Sequence, residues 1–383
     1  MKNSILKFLP FILILVIASN VILTISSVKD RYVRQDYSQR YESLKKMYYD
    51  SIYANKKGDF IRDEFVYSFA AGSLLQGVSP ILVNPETPPL GKYIIAFSIT
   101  LFNNEHITTL VLGIASLFIL YLVGKQVFSS TLLALLPVVL LSFEPLYLNQ
   151  LRITPLLDIM QLFFLLSFFL FFNMAQEKKR YIPYFILANC MLGGFISVKY
   201  FGIGITVFGA AIVVLLLRKD IRKVIYYVLT SVIAPLILLS MYIQVLFSGY
   251  TLSAFLGIQK WIFIYNQGHV TKPFTFFPLF LINKWYAWWN DSILSDAQWQ
   301  ITWPLSFIVL LFVLWIYYRY KQYRSRALDI VLVWVVLYIG LLQVGYVSAR
   351  YFVILLPPLF IIMIFGLKTG ILLFLKAKNE NSS

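Results

Sequence analysis

The chain is a succession of long apolar runs separated by short charged stretches. The runs lie at 5–25, 107–123, 131–147, 155–173, 182–198, 200–217, 224–247, 303–319, 328–347 and 351–367. A helix needs roughly 20 apolar residues to cross a bilayer, and backbone groups in lipid must be satisfied within their own segment. The pattern therefore predicts an all-α fold, a polytopic transmembrane bundle of about ten spans. Two stretches, 26–106 and 248–302, are too long for tight connections. They read as extramembrane segments of one membrane domain covering 1–383.

Inside the first of these, Tyr37, Tyr41, Leu44, Tyr48 and Ile52 recur at helical spacing, with Arg40, Lys45 and Lys46 elsewhere on the wheel. That predicts an amphipathic helix lying on the membrane surface, with a soluble stalk as the competing reading. The segment GKYIIAFSITLF at 91–102 is short for a span and reads as a surface or re-entrant helix. Pro85, Pro88 and Pro89 break the chain before it. The first apolar run is longer than a signal-peptide core and lacks a small-x-small cleavage site, so it reads as a retained anchor.

Composition agrees with the pattern: 60% hydrophobic, 17% aromatic and only 13% charged residues, with mean hydropathy +0.76. The net charge of +16 is explained by where the cations fall. With the N-terminus inside, one side receives Lys125, EKKR (177–180), RKDIRK (218–223), RYKQYRSR (319–326) and Lys368. This is the positive-inside distribution, and it leaves no reason to expect nucleic acid as a partner. A single cysteine, Cys190, excludes an intrachain disulfide. Two distant histidines, His106 and His269, do not make a metal site, and none is assigned.

The opposite face receives single charges: Asp63, Glu64, Glu86, Glu144, Arg152, Asp158, Lys199 and Arg350. Several stand at the mouths of apolar runs. Ionisable groups near a membrane are costly and are by default paired or functional. The topology thus predicts a polar site on the extracytoplasmic face, beside the lipid surface. Asp158 is close enough in sequence to pair with Arg152. Glu144 is placed to hold Arg152 or to bind an acceptor, and Glu86 to bind an acceptor or cap a turn. The Asp63–Glu64 pair also suits an ordinary helix N-terminus, where the dipole favours acids. The aromatics of KWYAWWND (284–291) read as an interfacial belt, with sugar stacking as the alternative.

The order RDEFVYSFAAGSLLQG, NPETPPLGKYIIA, FEPLYLNQLRITPLLDIMQLFFLL and SVKYFG resembles the protein O-mannosyltransferases, which belong to the GT-C class of membrane glycosyltransferases. The resemblance covers roughly residues 55 to 205, with a weaker echo in SARYFVILLPP. It implies a polyprenyl- or dolichyl-phosphate sugar as donor, mannose as the sugar, and a protein Ser or Thr as acceptor. It also implies Asp63 as the catalytic acid of the Asp-Glu pair, with Glu64 supporting it. Lys92 falls in the Gly-Lys motif, in a structural or headgroup-binding role, and Lys199 in the Val-Lys-aromatic motif. The family often pairs two chains, so a dimer is an expected assembly to test. Thr87 stands where the family commonly has His, and any role of that imidazole is absent or replaced here. The chain is short for the family, leaving a final span in question. The 248–302 loop is too short for the carbohydrate-binding domain of eukaryotic members.

The chemistry fits these residue types. Phosphate leaves without protonation, while the acceptor hydroxyl must lose a proton to a positioned carboxylate such as Asp63. The departing phosphate needs fixed positive charge, for which Arg152, Lys199 and Arg350 are the candidates. No cofactor is called for beyond the lipid-linked donor, and a divalent metal is neither required nor excluded. The same residues leave two other readings: transfer to a glycan or lipid acceptor, or a polyprenyl-lipid flippase. A transporter should show inverted repeats and mid-span charges, and neither is evident.

Overall fold

The computed structural model describes residues 2–55, 57–268, 273–287, 292–344 and 347–380. His269 and the 288–291 part of the aromatic stretch lie outside them. The chain is almost wholly helical. Helix α1 (Lys2–Ser26) is followed by the short α2 (Lys29–Val33), then α3 (Tyr37–Tyr49), α4 (Asp63–Leu75) and α5 (Leu90–Phe102). Next come α6 (Ile107–Phe128), α7 (Thr131–Phe143), α8 (Pro145–Arg152), α9 (Leu157–Glu177) and α10 (Ile182–Val198). The second half holds α11 (Gly204–Leu217), α12 (Ile221–Ser231), α13 (Ile233–Ser240), α14 (Ile243–Phe247), α15 (Leu252–Gly268), α16 (Phe276–Ile282), α17 (Thr302–Arg319), α18 (Arg326–Leu342) and α19 (Phe352–Glu380).

All ten apolar runs are helical, but they are not ten full spans. Among the described residues six helices are long and apolar enough to cross a membrane, and a seventh results if α7 and α8, bent by 61°, count together. The expectation of about ten spans is corrected accordingly. Helices α10 and α18 have 17 residues each, about 25 Å at 1.5 Å per residue, short of a hydrocarbon core of about 30 Å. The run 224–247 is divided among α12, α13 and α14, and α12 with α13, Ile221–Ser240, makes one of the six. The α7–α8 bend has a local cause. Glu144 is extended and accepts from the Leu146 amide, and Pro145 starts the new helix without needing a donor.

Burial identifies the centre. The apolar window of α9 is 72% buried against 11% for α1, so α9 is the central helix and α1 a peripheral one. Around α9 pack α6, α10, α18 and α19. Such all-round apolarity is what an enclosed helix requires.

One expectation about the extramembrane segments changes, and one packing element is added. The apolar face of α3 is Tyr37, Tyr41, Leu44 and Tyr48, as its spacing predicts, but it is buried against α4 instead of lying on a membrane surface. Tyr37 donates to the Ser68 carbonyl at 2.7 Å. Gly72 makes this approach possible, because a Cβ there would run into the Tyr37 hydroxyl and the Tyr41 ring. Ile52 lies beyond the helix and is exposed. In the 248–302 segment, α16 buries Phe276, Leu279 and Phe280. Their i, i+3, i+4 spacing gives one apolar face, and their rings meet Trp303 of α17 and Phe352 of α19.

Candidate active site

Helix α4 begins at Asp63 because Arg62 is extended, which places Asp63 and Glu64 in the first turn, where the helix dipole favours acids. Helix α9 begins in the same way after an extended Leu156, with Asp158 in its first turn. Helix α10 stops at Val198, and Lys199 turns out of it in an extended conformation. A single 3-10 turn, Ala349–Tyr351, delivers Arg350 just ahead of α19. Four separate elements thus bring two acids and two cations to one end of the bundle.

The four side chains form an alternating chain. Arg350 Nη1 donates to Asp63 Oδ2. Its Nε lies 3.7 Å from Asp158 Oδ2, and Asp158 Oδ1 accepts from Lys199 Nζ. Lys199 Nζ also sits 5.1 Å from the centre of the Tyr351 ring, a cation–π contact. The second oxygen of Asp63 faces the Tyr53 hydroxyl at 3.4 Å. Exposure grades across the cluster: the side chains of Asp158 and Lys199 are 4% and 10% exposed, while those of Asp63 and Arg350 are 19% and 36% exposed. Asp63 and Arg350 are therefore the end that a substrate can reach.

The remaining sequence candidates lie outside this chain. Glu64 is buried, with Oε1 3.8 Å from Arg62 Nη1, and burial pushes its carboxyl above the usual range. Glu86 accepts from the Asn84 side chain, and burial also raises it, with Lys92 opposing and Asp63 adding to the rise. Lys92 is fully buried and donates to the Asn84 carbonyl and, at 2.9 Å, to the Thr87 carbonyl. Burial pulls its ammonium down to about 7. Thr87 donates to Asn84 Oδ1 at 2.7 Å. Asn84 has φ 51°, so this turn is held in the left-handed region by side chains on both sides. Thr87 and Lys92 therefore brace the turn beneath the site.

Glu144 does not hold Arg152. It accepts from Trp303 Nε1, with both oxygens at 3.3 Å. Asp158 does not pair with Arg152 either, since Lys199 and Arg350 occupy it. Arg152 ends α8 with an exposed side chain and makes no hydrogen bond or ion pair among the described residues. His106 accompanies Glu105: its Nε2 is 3.3 Å from Glu105 Oε1 and its Nδ1 is 3.0 Å from Thr154 Oγ1. No group of three or more His, Cys, Asp or Glu is arranged to hold a metal among the described residues.

Sequence reasoning missed the aromatic lining, Tyr53 and Tyr351. Tyr351 follows Arg350 directly, and a ring beside a cation at the mouth of a span was a readable signal. Tyr53 gave none.

Residues 86–243 match the family described as dolichyl-phosphate-mannose-protein mannosyltransferase. Among solved structures, ArnT from Cupriavidus metallidurans bound to undecaprenyl phosphate aligns with a TM-score of 0.60 at 14% identity, over 87% of this chain and 59% of that one. The chain has the fold of the GT-C membrane glycosyltransferases. The apo state of the same ArnT gives 0.59 at 15% identity, over 80% and 55%. A further GT-C structure, the Archaeoglobus fulgidus oligosaccharyltransferase in the apo form, gives 0.50 at 13% identity, over 97% of this chain and 52% of that one. The chain spans less than two thirds of the length of these GT-C proteins. No curated protein sequence matches it.

Proposed function

We propose that the chain is an inverting glycosyltransferase that moves a hexose from a polyprenyl-phosphate carrier to a hydroxyl group on the extracytoplasmic side. Mannose is the sugar and a protein Ser or Thr the acceptor that the matched segment 86–243 favours. The observation that carries the reading is the contact between Asp63 and Arg350, continued through Asp158 to Lys199. It puts two carboxylates and two cations side by side at the ends of apolar helices, where a lipid phosphate and an incoming alcohol can meet. The opposite end of α9 runs into EKKR, and RKDIRK between α11 and α12 lies beside it through the Lys223 contact to the Gln176 carbonyl, which supports the extracytoplasmic placement of the cluster.

The chemistry is a single displacement. The acceptor oxygen forms a bond to the anomeric carbon as the bond from that carbon to the phosphate oxygen breaks. Polyprenyl phosphate leaves with the electron pair, and the hydroxyl proton passes to Asp63. Arg350 stabilises the departing phosphate through its fork of donors, while the buried Lys199 holds Asp158 behind it. Arg152, exposed and outside the cluster, is given no role in this step.

The resting contact also has a consequence. Arg350 donates to Asp63, so a donor phosphate competes with that carboxylate for the guanidinium.

The test is transfer of labelled hexose from a polyprenyl-phosphate donor by the purified chain. A Ser/Thr peptide, a glycan and a lipid are offered as separate acceptors. Transfer to the peptide is the expected result. Donor movement across vesicles without transfer to any acceptor would replace this reading with a lipid flippase.

A further inference from the structure

We infer that the bundle holds a second anion site, at the end opposite the Asp63 cluster, shaped for the phosphate monoester headgroup of a lipid. It is a cavity of about 350 Å³ lined by Gln176, Leu215, Arg218, Asp220, Lys223 and Arg326. That volume lies at the small end of the range for ligand cavities, about 300–1,000 Å³. Asp158 and Gln176 stand near opposite ends of α9, so the two sites are separated by about 27 Å along the helix axis. The inference does not rest on the proposed transferase activity.

The charges in the cavity do not balance. Arg218 Nη2 donates to Asp329 Oδ2 at 2.7 Å and to the Arg326 carbonyl at 2.5 Å. Lys223 Nζ donates to the Gln176 carbonyl at 3.0 Å and lies 3.5 Å from Asp220 Oδ2. Each of these cations has its carboxylate. The Arg326 guanidinium has no hydrogen-bond or ion-pair partner among the described residues, so one positive charge is left over. A second observation points the same way. The Gln176 carboxamide has both its nitrogen and its oxygen buried with no hydrogen-bond partner among the described residues. A buried amide without partners is costly and calls for a ligand or water.

The backbone adds to this. Helices α12 and α18 begin at Ile221 and Arg326, so their N-terminal ends adjoin the cavity; Asp220 caps the first by accepting from the Lys223 amide, and the positive end of α18 is turned to the cavity without such a side-chain cap. An excess guanidinium, a free carboxamide donor and the N-terminus of α18 together favour a compact, multiply charged anion with several acceptor oxygens. A phosphate monoester has that chemistry. The site lies at the ends of the apolar helices α9 and α11, with Leu215 in its wall, which makes a lipid the first source of the phosphate.

The test is native mass spectrometry of the full chain in detergent, titrated with phosphatidic acid or phosphatidylcholine. One phosphatidic acid per chain should bind in preference to phosphatidylcholine. Arg326→Gln, which breaks no contact within the protein, should weaken that binding by about tenfold, the loss of one charge-assisted hydrogen-bonding partner. Gln176→Leu should weaken it in the same direction. Lys321→Gln, an exposed cation of the neighbouring turn, should leave it unchanged. In a second arm inorganic phosphate is added as competitor. Displacement of the lipid supports a site that also accepts soluble phosphate, and retention supports the lipid headgroup as its source. Equal binding of the two lipids, or equal weakening by Lys321→Gln and Arg326→Gln, would overturn the inference.

Discussion

The buried half of the cluster makes a quantitative claim about stability. Lys199 and Asp158 are 10% and 4% exposed at the side chain, so solvent does little to screen them. Removing one partner of a buried ion pair costs about 3–5 kcal/mol, because the other charge is stranded. Asp158→Asn leaves Lys199 without a carboxylate and takes from Arg350 the second of its two acids, and it should cost about 4 kcal/mol. Lys199→Met should cost less, about 2 kcal/mol, because Asp158 keeps Arg350 at 3.7 Å. The double variant strands neither charge. It should cost about 3 kcal/mol, not the roughly 6 kcal/mol of simple addition, giving a coupling of about 3 kcal/mol. The assay is reversible unfolding of the four proteins in mixed micelles, followed by circular dichroism. Additive single costs, or an Asp158→Asn cost below about 1 kcal/mol, would refute the claim that this pair is buried and coupled.

Other consequences follow from the same geometry. Gly72→Val should separate α3 from α4 and cost about 1–3 kcal/mol as an overpacked contact, seen as a lower thermal midpoint, while Gly77→Ala, in open space, loses only the positive-φ preference of glycine. His106 is buried, and burial holds its imidazole down at about 4 from 6.5, against the opposing effect of Glu105. The unfolded chain therefore binds more protons between those values, so stability should fall as pH drops from 6.5 towards 4, by about 3 kcal/mol at most. His106→Gln should remove that part of the pH dependence. Lys92→Met should loosen the Asn84–Thr87 turn and lower the thermal midpoint, without changing the affinity for donor, since Lys92 faces carbonyls and not the cluster.

The apolar runs made the helices legible, and their limits agree closely: 182–198 is α10 to the residue. Periodicity also identified the buried face of α3. What covers that face was not legible, because an amphipathic pattern records that a surface is buried and not against what. The same limit applies to the site. Single charges at the mouths of apolar runs were visible, but Asp63 and Arg350 are 287 residues apart, and nothing local selects that pairing over Arg152. Arg152 and Arg350 look alike in sequence, each beside the start of an apolar run. They differ only in the fold: one ends the bent α8 facing solvent, and the other is delivered by a 3-10 turn between two acids. The span count failed for a related reason. An apolar run of 17 residues packs as well inside a bundle as it crosses lipid, and composition alone does not separate the two.

The central claim is that Asp63 removes the acceptor proton while Arg350 holds the phosphate. Single-turnover transfer with saturating donor tests it most directly, comparing the parent with Asp63→Asn and Arg350→Gln. Asp63→Asn should bind donor at least as well as the parent, since Arg350 is freed for phosphate, yet transfer about 10²–10⁴ times more slowly. Arg350→Gln should lose donor affinity as well as rate. Transfer by Asp63→Asn at the parent rate would contradict the account.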